Sequence, residues 1–281
     1  MILTILLLMI SWVSGDRVWF NDNTDTQLLI DQDYNDHNVF IVNGTTVSLD
    51  NGYTITAPTK SDDGEDAIRV EDATFIANNG TIKGGTEIGG TGVTISTTRG
   101  SDTPGIATFN DGVVVYGGDA TRVDTTKAGD AVQILQSGSI ATFNGGRFVP
   151  GTGCTIKTCG VETDNGNAIQ IIQGKAIIFG GVFDGNVYNL GGDVEVHGCV
   201  VYDEEASTIT GTLLDGSYID VKYVQPNGQD RQPSIVYQEE VCSKEEIEPV
   251  PASDTSGSLR MTLTASVYIS LSFLFGTVSI R

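Results

Sequence analysis

The sequence predicts an all-β protein whose short parallel strands stack as a β-solenoid. The motif Ala-Thr-Phe occurs at residues 73–75, 107–109 and 141–143, and the related segment Ala-Ile-Ile begins at Ala176. These segments begin 34, 34 and 35 residues apart, and a fixed period of this length is typical of stacked repeats. Apolar and polar residues alternate within them, as in strands with one buried face. No part of the body keeps a helical period, which excludes folds with helical crossovers.

A second strand recurs ahead of these motifs, with aliphatic residues at its inward positions and one polar residue facing outward. It occupies residues 68–70, 132–134 and 169–171. Glycine pairs separate the strands, at residues 84–85, 117–118, 145–146, 180–181 and 191–192. The pattern predicts three short strands and three turns in each coil. One coil cannot bury its apolar residues alone, so the coils must stack to form a core.

Stacking in this register predicts an internal aromatic ladder of Phe75, Phe109 and Phe143. The segments between the strands vary in length, and we expect the longest of them to lie as loops on one edge of the solenoid. They are residues 84–92, 97–105, 118–128 and 150–165. Loops are where solenoids usually carry their function.

Composition divides the chain into four regions. We predict a signal peptide at 1–15, a parallel β-helix domain with an N-terminal cap at 16–224, an acidic stalk at 225–258 and an apolar tail at 259–281. The first apolar run is too short for a membrane span and suits a signal peptide. Val13-Ser14-Gly15 places small residues before a predicted cleavage at Asp16.

The C-terminal tail follows the pattern of a glycolipid-anchor signal, in which small residues precede a spacer and an apolar end. Ser256 is the predicted attachment site, with Ser253 as the alternative. A transmembrane helix is the competing interpretation, but Arg260 then lies on the wrong side of the apolar segment. Both interpretations predict a membrane-anchored protein at the extracellular surface of the cell.

A secreted chain is expected to carry glycans and disulfides. Asn43 and Asn79 begin Asn-Gly-Thr sequons, so both are predicted glycosylation sites. The cysteine count is even, and disulfides are the rule in secreted proteins. Three pairings are possible; we predict that Cys154–Cys159 closes a small loop and that Cys199–Cys242 ties the tail to the stack.

The net charge of −21 excludes whole classes of partner. A strongly acidic surface repels nucleic acid and anionic membranes. It also repels acidic polysaccharides unless divalent cations bridge the two surfaces. A nucleic-acid role is therefore not expected, and a polysaccharide or cell-wall ligand remains as the predicted partner.

The repeated strand–glycine–strand pattern over about residues 35–224 resembles the pectin-lyase-like parallel β-helix superfamily. The resemblance implies a single-stranded, right-handed β-helix. It extends to the fold alone, because members of that superfamily include polysaccharide lyases and hydrolases as well as non-enzymatic adhesins.

The hydrolases of that superfamily carry Asn-Thr-Asp, Asp-Asp, Gly-His-Gly and Arg-x-Lys motifs on successive coils. This chain offers Asp62-Asp63 as an Asp-Asp pair, but no Arg-x-Lys follows a histidine. We interpret His37 and His197 as surface or turn residues. No catalytic residue is therefore predicted.

The lyases of the superfamily bind Ca²⁺ through a cluster of acidic residues. Asp66, Asp130 and Asn167 occupy equivalent turn positions in this chain, and their oxygens are suitable Ca²⁺ ligands. Asp and Asn equally cap turns by accepting local N–H hydrogen bonds, and we favour this interpretation, which predicts no cofactor. Three tyrosines near turns, Tyr116, Tyr188 and Tyr202, are candidates for sugar stacking or for packing.

The sequence thus favours a non-catalytic cell-surface β-helix protein for adhesion, wall or coat structure, or carbohydrate contact. The alternative is a polysaccharide lyase or glycoside hydrolase on the same fold, which requires clustered carboxylates with a basic partner.

Overall fold

Short segments of alternating apolar residues form an all-β fold with one large, mostly parallel sheet. A computed structural model describes residues 17–21, 27–59, 65–122, 127–155, 164–226 and 231–242, and the backbone of 11–14. All of them belong to one unit, residues 1–245. In chain order the described strands are β1 (Ser11–Ser14), β2 (Arg17–Phe20), β3 (Gln27–Ile30), β4 (Tyr34–Asn35), β5 (Asn38–Val42), β6 (Thr46–Leu49), β7 (Thr54–Thr56), β8 (Ile68–Glu71), β9 (Thr74–Ala77), β10 (Gly80–Lys83), β11 (Val93–Ser96), β12 (Ile106–Phe109), β13 (Val113–Tyr116), β14 (Val132–Ile134), β15 (Ile140–Val149), β16 (Ile169–Ile171), β17 (Lys175–Phe183), β18 (Val187–Asn189), β19 (Asp193–Asp203), β20 (Thr208–Leu213), β21 (Tyr218–Val224) and β22 (Ser234–Tyr237), followed by the helix α1 (Glu239–Cys242).

The parallel strands pair in three ladders. Ladder A joins β2, β5, β8, β11, β14, β16, β18 and β21. Ladder B joins β3, β6, β9, β12, the first parts of β15, β17 and β19, and β22. Ladder C joins β4, β7, β10, β13 and the second parts of β15 and β17. Because the chain visits A, B and C in turn and returns to A, the fold is solenoid-like, as the repeat predicts.

In the described part of the chain, a hydrophobic core lies between the ladders. In β8, β14 and β16 the aliphatic residues are buried and the central Arg69, Gln133 and Gln170 are partly exposed. This alternation follows from the strand geometry, which turns successive side chains to opposite faces. The predicted inward and outward positions are therefore confirmed for this strand.

The predicted alignment of the first Ala-Thr-Phe motif is wrong by two residues. Phe75 pairs with Ala107, and Ala77 pairs with Phe109, whereas Phe109 pairs with Phe143 as predicted. A shift of two residues leaves every side chain on its original face of a strand, so Phe75 stays fully buried. Its ring meets Phe109 edge-on at 6.5 Å, while Phe109 and Phe143 stack at 5.3 Å between ring centroids.

Both ends of the described sheet contain antiparallel strands. At the N-terminal end, β1 pairs with β2; β1 lies inside the predicted signal peptide, whose cleavage stays a prediction. At the C-terminal end, β19, β20 and β21 form an antiparallel meander. β22 lies within the predicted stalk, yet it pairs with β19, so the sheet continues beyond residue 224.

Three corners separate the ladders: corner 1 between A and B, corner 2 between B and C, and corner 3 between C and A. Three of the four predicted loops, 84–92, 118–128 and 150–165, leave ladder C and return to ladder A at corner 3. The fourth, residues 97–105, connects β11 to β12 at corner 1, so its placement on the same edge was wrong. Corner 3 is therefore the side of the fold that gathers long loops.

Candidate functional site

A column of glycines organises corner 3. Each loop leaves at one glycine and returns at another, and six of these residues stack on one another: Gly85, Gly90, Gly118, Gly129, Gly151 and Gly166. Their backbones form a continuous hydrogen-bond chain, in which each N–H donates to the carbonyl of the preceding member at 2.7–3.0 Å. The chain begins at the Glu65 carbonyl, which accepts from Gly85 N at 3.1 Å. The pair of glycines at which a loop leaves and returns is called its neck, and this hydrogen-bond chain joins the necks of successive loops.

The column requires glycine because neighbouring backbones approach too closely for any side chain. A Cβ on Gly118 would lie 1.9 Å from the Gly85 carbonyl oxygen, and one on Gly129 would lie 2.0 Å from that of Gly90. Real Cβ atoms do not approach this closely. The pairs at 84–85 and 117–118 separate strands as predicted, since they directly follow β10 and β13, and their main physical role is this close approach. The prediction was wrong for the pairs at 145–146 and 180–181, which lie within β15 and β17.

The loops beyond the column also bond to one another. The N–H groups of Thr121 and Arg122 donate to the Glu87 carbonyl at 2.9 and 3.1 Å, and Ala120 N donates to Thr152 O at 3.0 Å. Asp119 Oδ1 accepts from Thr152 N at 2.7 Å. The described parts of the three loops therefore form one connected surface.

A polar column runs beside the glycines at the entrance to ladder A. Its members are Asp66, Thr91, Asp130, Asn167 and Asn186. The residue that follows each of the first four donates its backbone N–H to the carbonyl of the next member, at 2.9–3.0 Å. The structure therefore brings Asp130 and Asn167 together, as predicted, and places Thr91 between Asp66 and Asp130.

Asp130 accepts several hydrogen bonds in this polar column. Its Oδ1 accepts from the backbone N–H of Asn167 at 2.6 Å and from Asn167 Nδ2 at 2.8 Å. Lys127 Nζ lies 2.8 Å from Oδ1 and 3.1 Å from Oδ2. An amide and an ammonium group thus donate hydrogen bonds to the carboxylate, as in a turn-capping ladder. Within the described residues, no group of three acidic, histidine or cysteine side chains could hold a metal ion.

Asp66 lies in a different electrostatic environment. Burial raises the pKa of its carboxyl, and this effect outweighs the opposing influence of the neighbouring Thr94, Arg69 and Thr91. A carboxyl group whose pKa is raised in the folded state favours protonation on folding. Asp66 therefore adds stability at low pH and loses that contribution as the pH rises through its folded pKa.

Replacing Asp66 with asparagine is expected to stabilise the protein near neutral pH and to have little effect in acid. Asparagine cannot ionise, and Asn167 shows that the amide fits this column. The measurement is the difference in free energy of unfolding between the variant and the wild type from about pH 3 to about pH 7.

Glu195→Gln is the control, for which we expect the opposite effect on stability at neutral pH. Hydrogen bonds from Lys175 and His197 lower the pKa of the Glu195 carboxyl. Glu195 therefore stabilises the fold above its ordinary pKa and loses this effect as the pH falls. Glu195→Gln should destabilise at neutral pH, and equal pH dependence of the two variants would contradict the assigned environments.

A cleft opens beside the polar column, between ladder A and the third loop. It has a volume of about 420 Å³ and is lined by Lys127, Asp164, Asn165, Gly166, Asn167, Gln170, Asn186, Tyr188, Leu190 and Val224. Three partly or fully exposed carboxamide residues, Asn165, Gln170 and Asn186, face it with the ring of Tyr188. Lys127 Nζ lies 5.9 Å from the centroid of that ring. Carboxamides offer donors and acceptors together, and a tyrosine adds an apolar face.

The other aromatic and histidine candidates lie apart from this cleft. Tyr116 lies on ladder C with Lys83 Nζ 5.7 Å from its ring centroid, and Tyr202 packs edge-on against Tyr223 at 5.6 Å. His37 Nδ1 bonds to the Asn35 carbonyl at 2.6 Å. His197 lies within β19, not at a turn, and its Nε2 contacts Glu195 Oε1 at 2.5 Å.

The predicted disulfide between Cys199 and Cys242 is confirmed, and it fixes α1 against β19. Cys154 is also disulfide-bonded, but its predicted partner, Cys159, lies outside the described residues. Both sequon asparagines, Asn43 and Asn79, are exposed, and their glycosylation stays a prediction. Asp62, Asp63, Ser253 and Ser256 also lie outside the described residues.

Sequence reasoning missed an asparagine ladder at corner 2. Asn144 Nδ2 donates to Asn110 Oδ1 at 2.8 Å, Asn110 Nδ2 to Asn78 Oδ1 at 2.6 Å, and Asn78 Nδ2 to Asp50 Oδ1 at 2.6 Å. The signal was present, because Asn110 and Asn144 each follow an Ala-Thr-Phe motif. The ladder satisfies polar groups at a tight corner and reinforces the stacking register.

No protein-family model, curated protein or solved structure matches the chain. None of the described residues belongs to a helix with the length and apolar character needed to cross a membrane. The geometry of corner 3 is therefore the basis for the functional proposal.

Proposed function

We propose that this protein is a non-catalytic cell-surface β-helix protein that contacts carbohydrate through the cleft at corner 3. Support comes from the lining of the cleft, where carboxamides and one tyrosine ring adjoin a lysine that is already paired. Such a surface matches the hydroxyl groups and the apolar face of an uncharged sugar. The observation that carries the proposal is this combination of carboxamides with a tyrosine ring. Asp164 is the one carboxylate among the described residues that line the cleft, and the nearby carboxylate of Asp130 is covered by Lys127 and Asn167.

The proposal includes a right-handed, single-stranded β-helix related to the pectin-lyase-like superfamily. The three parallel ladders and the asparagine ladder support it. It also includes a predicted signal peptide and a C-terminal membrane anchor, which would present the cleft outside the cell.

A polysaccharide hydrolase is the second candidate, and one observation favours it. The backbones of Asp66 and Asp130 are two strand spacings apart, about 9–10 Å, and carboxyl groups at about this separation occur in inverting glycosidases. The raised pKa of Asp66 suits a general acid. The covered carboxylate of Asp130 argues against it, because a general base must reach a water molecule.

The test uses full-length protein on the surface of expressing cells. We expect release by a phosphatidylinositol-specific phospholipase, followed by binding of the released protein to neutral polysaccharides without formation of new reducing ends or unsaturated products. No release would favour a transmembrane tail. New reducing ends that disappear in Asp66→Asn would establish the hydrolase instead.

Replacing Tyr188 with alanine is expected to weaken carbohydrate binding at least about tenfold, or about 1.4 kcal/mol, because the cleft loses its aromatic face. Tyr237→Ala is the matched control, since Tyr237 is 64% exposed on β22 and does not line the cleft. Binding constants measured by calorimetry decide the result. Equal effects of the two substitutions would contradict the proposed cleft.

A further inference from the structure

We propose that Lys127 and Asn167 form an intramolecular isopeptide bond, with Asp130 as the group that transfers the proton. The proposal does not rest on carbohydrate binding, although Lys127 and Asn167 also line the cleft. It rests on the placement of an amine, a carboxylate and a carboxamide in one hydrogen-bonded cluster at the neck of two loops. The bond would join the end of one loop to the start of the next coil.

The distances bring the reacting groups together. Lys127 Nζ and Asn167 Nδ2 each lie 2.8 Å from the same atom, Asp130 Oδ1. Their separation cannot exceed the combined length of these two hydrogen bonds, and the Asn167 carbon to be attacked is bonded directly to Nδ2. The Asn167 backbone N–H, at 2.6 Å from Oδ1, fixes the carboxylate further. One carboxylate oxygen thus holds the amine and the carboxamide within this span, so they need no diffusional encounter to react.

Burial favours the chemistry. The side chain of Asp130 is 5% exposed and that of Lys127 is 33% exposed, and Asn167 is 5% exposed. Asp130 and Asn167 are therefore largely shielded from water, and the partly exposed Lys127 reaches them from the edge of the cluster. The nucleophilic form of lysine is the neutral amine, so the reaction requires the ammonium group to pass a proton to the adjacent carboxylate.

The reaction balances without any co-reactant. Lys127 Nζ passes a proton to Asp130, and the neutral amine attacks the side-chain carbonyl carbon of Asn167. The new Nζ–C bond forms as the C–Nδ2 bond breaks. Protons from Nζ are relayed through Asp130 to the leaving nitrogen, which departs as ammonium, and Asp130 returns to its carboxylate form. The product is a neutral amide between the two side chains.

The glycine column fixes the backbone beside both Lys127 and Asn167. Lys127 precedes the glycine column by two residues, and Asn167 follows the column member Gly166. Gly129 N donates to Gly118 O, and Gly166 N donates to Gly151 O, so both necks are fixed in the same hydrogen-bond chain. The rigid column thus supplies the alignment that the flexible lysine side chain lacks.

Peptide mapping of the full-length protein tests the bond. The protein is denatured, reduced, alkylated and digested with trypsin, which cannot cleave after a lysine whose amine is acylated. We expect a branched product in which residues 123–147 are joined to residues 158–175, with a mass lower by one ammonia than the two peptides combined. Fragmentation should locate the link at Lys127 and Asn167.

Two variants separate the chemistry from folding. Lys127→Arg preserves the positive charge beside Asp130 but cannot form the amide, so the branched product should disappear. Lys175→Arg is the matched control, because Lys175 forms an ion pair with Glu195 at 2.6 Å and takes no part in the proposed bond. The branched product should persist in this variant. Linear peptides 123–127, 128–147 and 158–175 from the wild-type protein would overturn the proposal. A loss of water would also overturn it, because that result places the bond on Asp130.

Discussion

Replacing Gly129 with alanine is expected to prevent stable folding, at a cost of more than about 4 kcal/mol. The new Cβ would lie 2.0 Å from the Gly90 carbonyl oxygen and 2.8 Å from Gly118 N. Both are backbone atoms of the neighbouring coil, so neither can move without disturbing the hydrogen-bond chain. The whole column would have to open at this point.

The measurement is urea unfolding of the purified protein, together with the amount secreted. Gly100→Ala is the matched control: Gly100 lies in the corner 1 loop with φ +87, and a Cβ there meets nothing within 4 Å. Its expected cost is about 1–2 kcal/mol, from the left-handed backbone alone. Similar losses in both variants would show that close packing of the column contributes little.

The glycine column illustrates what a repeat does not reveal. Gly85, Gly118 and Gly151 recur every 33 residues, but Gly90, Gly129 and Gly166 are 39 and 37 residues apart because the loops between the two sets differ in length. A search for one fixed period finds at most the first set. The two sets meet only in three dimensions, where departing and returning segments alternate.

Unequal loop lengths also explain why only part of the candidate site could be predicted from the sequence. Asp130 and Asn167 each precede an Ala-aliphatic strand, so their equivalence was visible in the sequence. The equivalence of Thr91 to these two residues was not visible, because the coil around β11 lacks that motif. Lys127 belongs to a loop of irregular length, and only the folded necks place its amine beside Asp130. Strand alternation is a local property, whereas these contacts depend on loop lengths.

Replacing Phe143 with alanine is the other change with a large expected effect, a loss of about 3–5 kcal/mol. Its fully buried ring lies at the centre of an aromatic cluster, with centroids 5.3 Å from Phe109, 4.9 Å from Phe148 and 5.7 Å from Phe183. These neighbours come from ladders B and C of three coils. Each is fixed by its own strand, so the surroundings cannot collapse to fill the cavity.

Phe40→Ala separates core packing from the loss of an aromatic contact. Phe40 also stacks on a neighbouring ring, 4.4 Å from Trp19, but it faces outward from ladder A and is partly exposed. Its replacement should cost about 1 kcal/mol, because the exposed site refills with water. Thermal and urea unfolding of both variants measure the difference. A Phe143→Ala cost no larger than that of Phe40→Ala would mean that the inner face of the solenoid can repack, and that stability depends on the backbone ladders instead of the aromatic core.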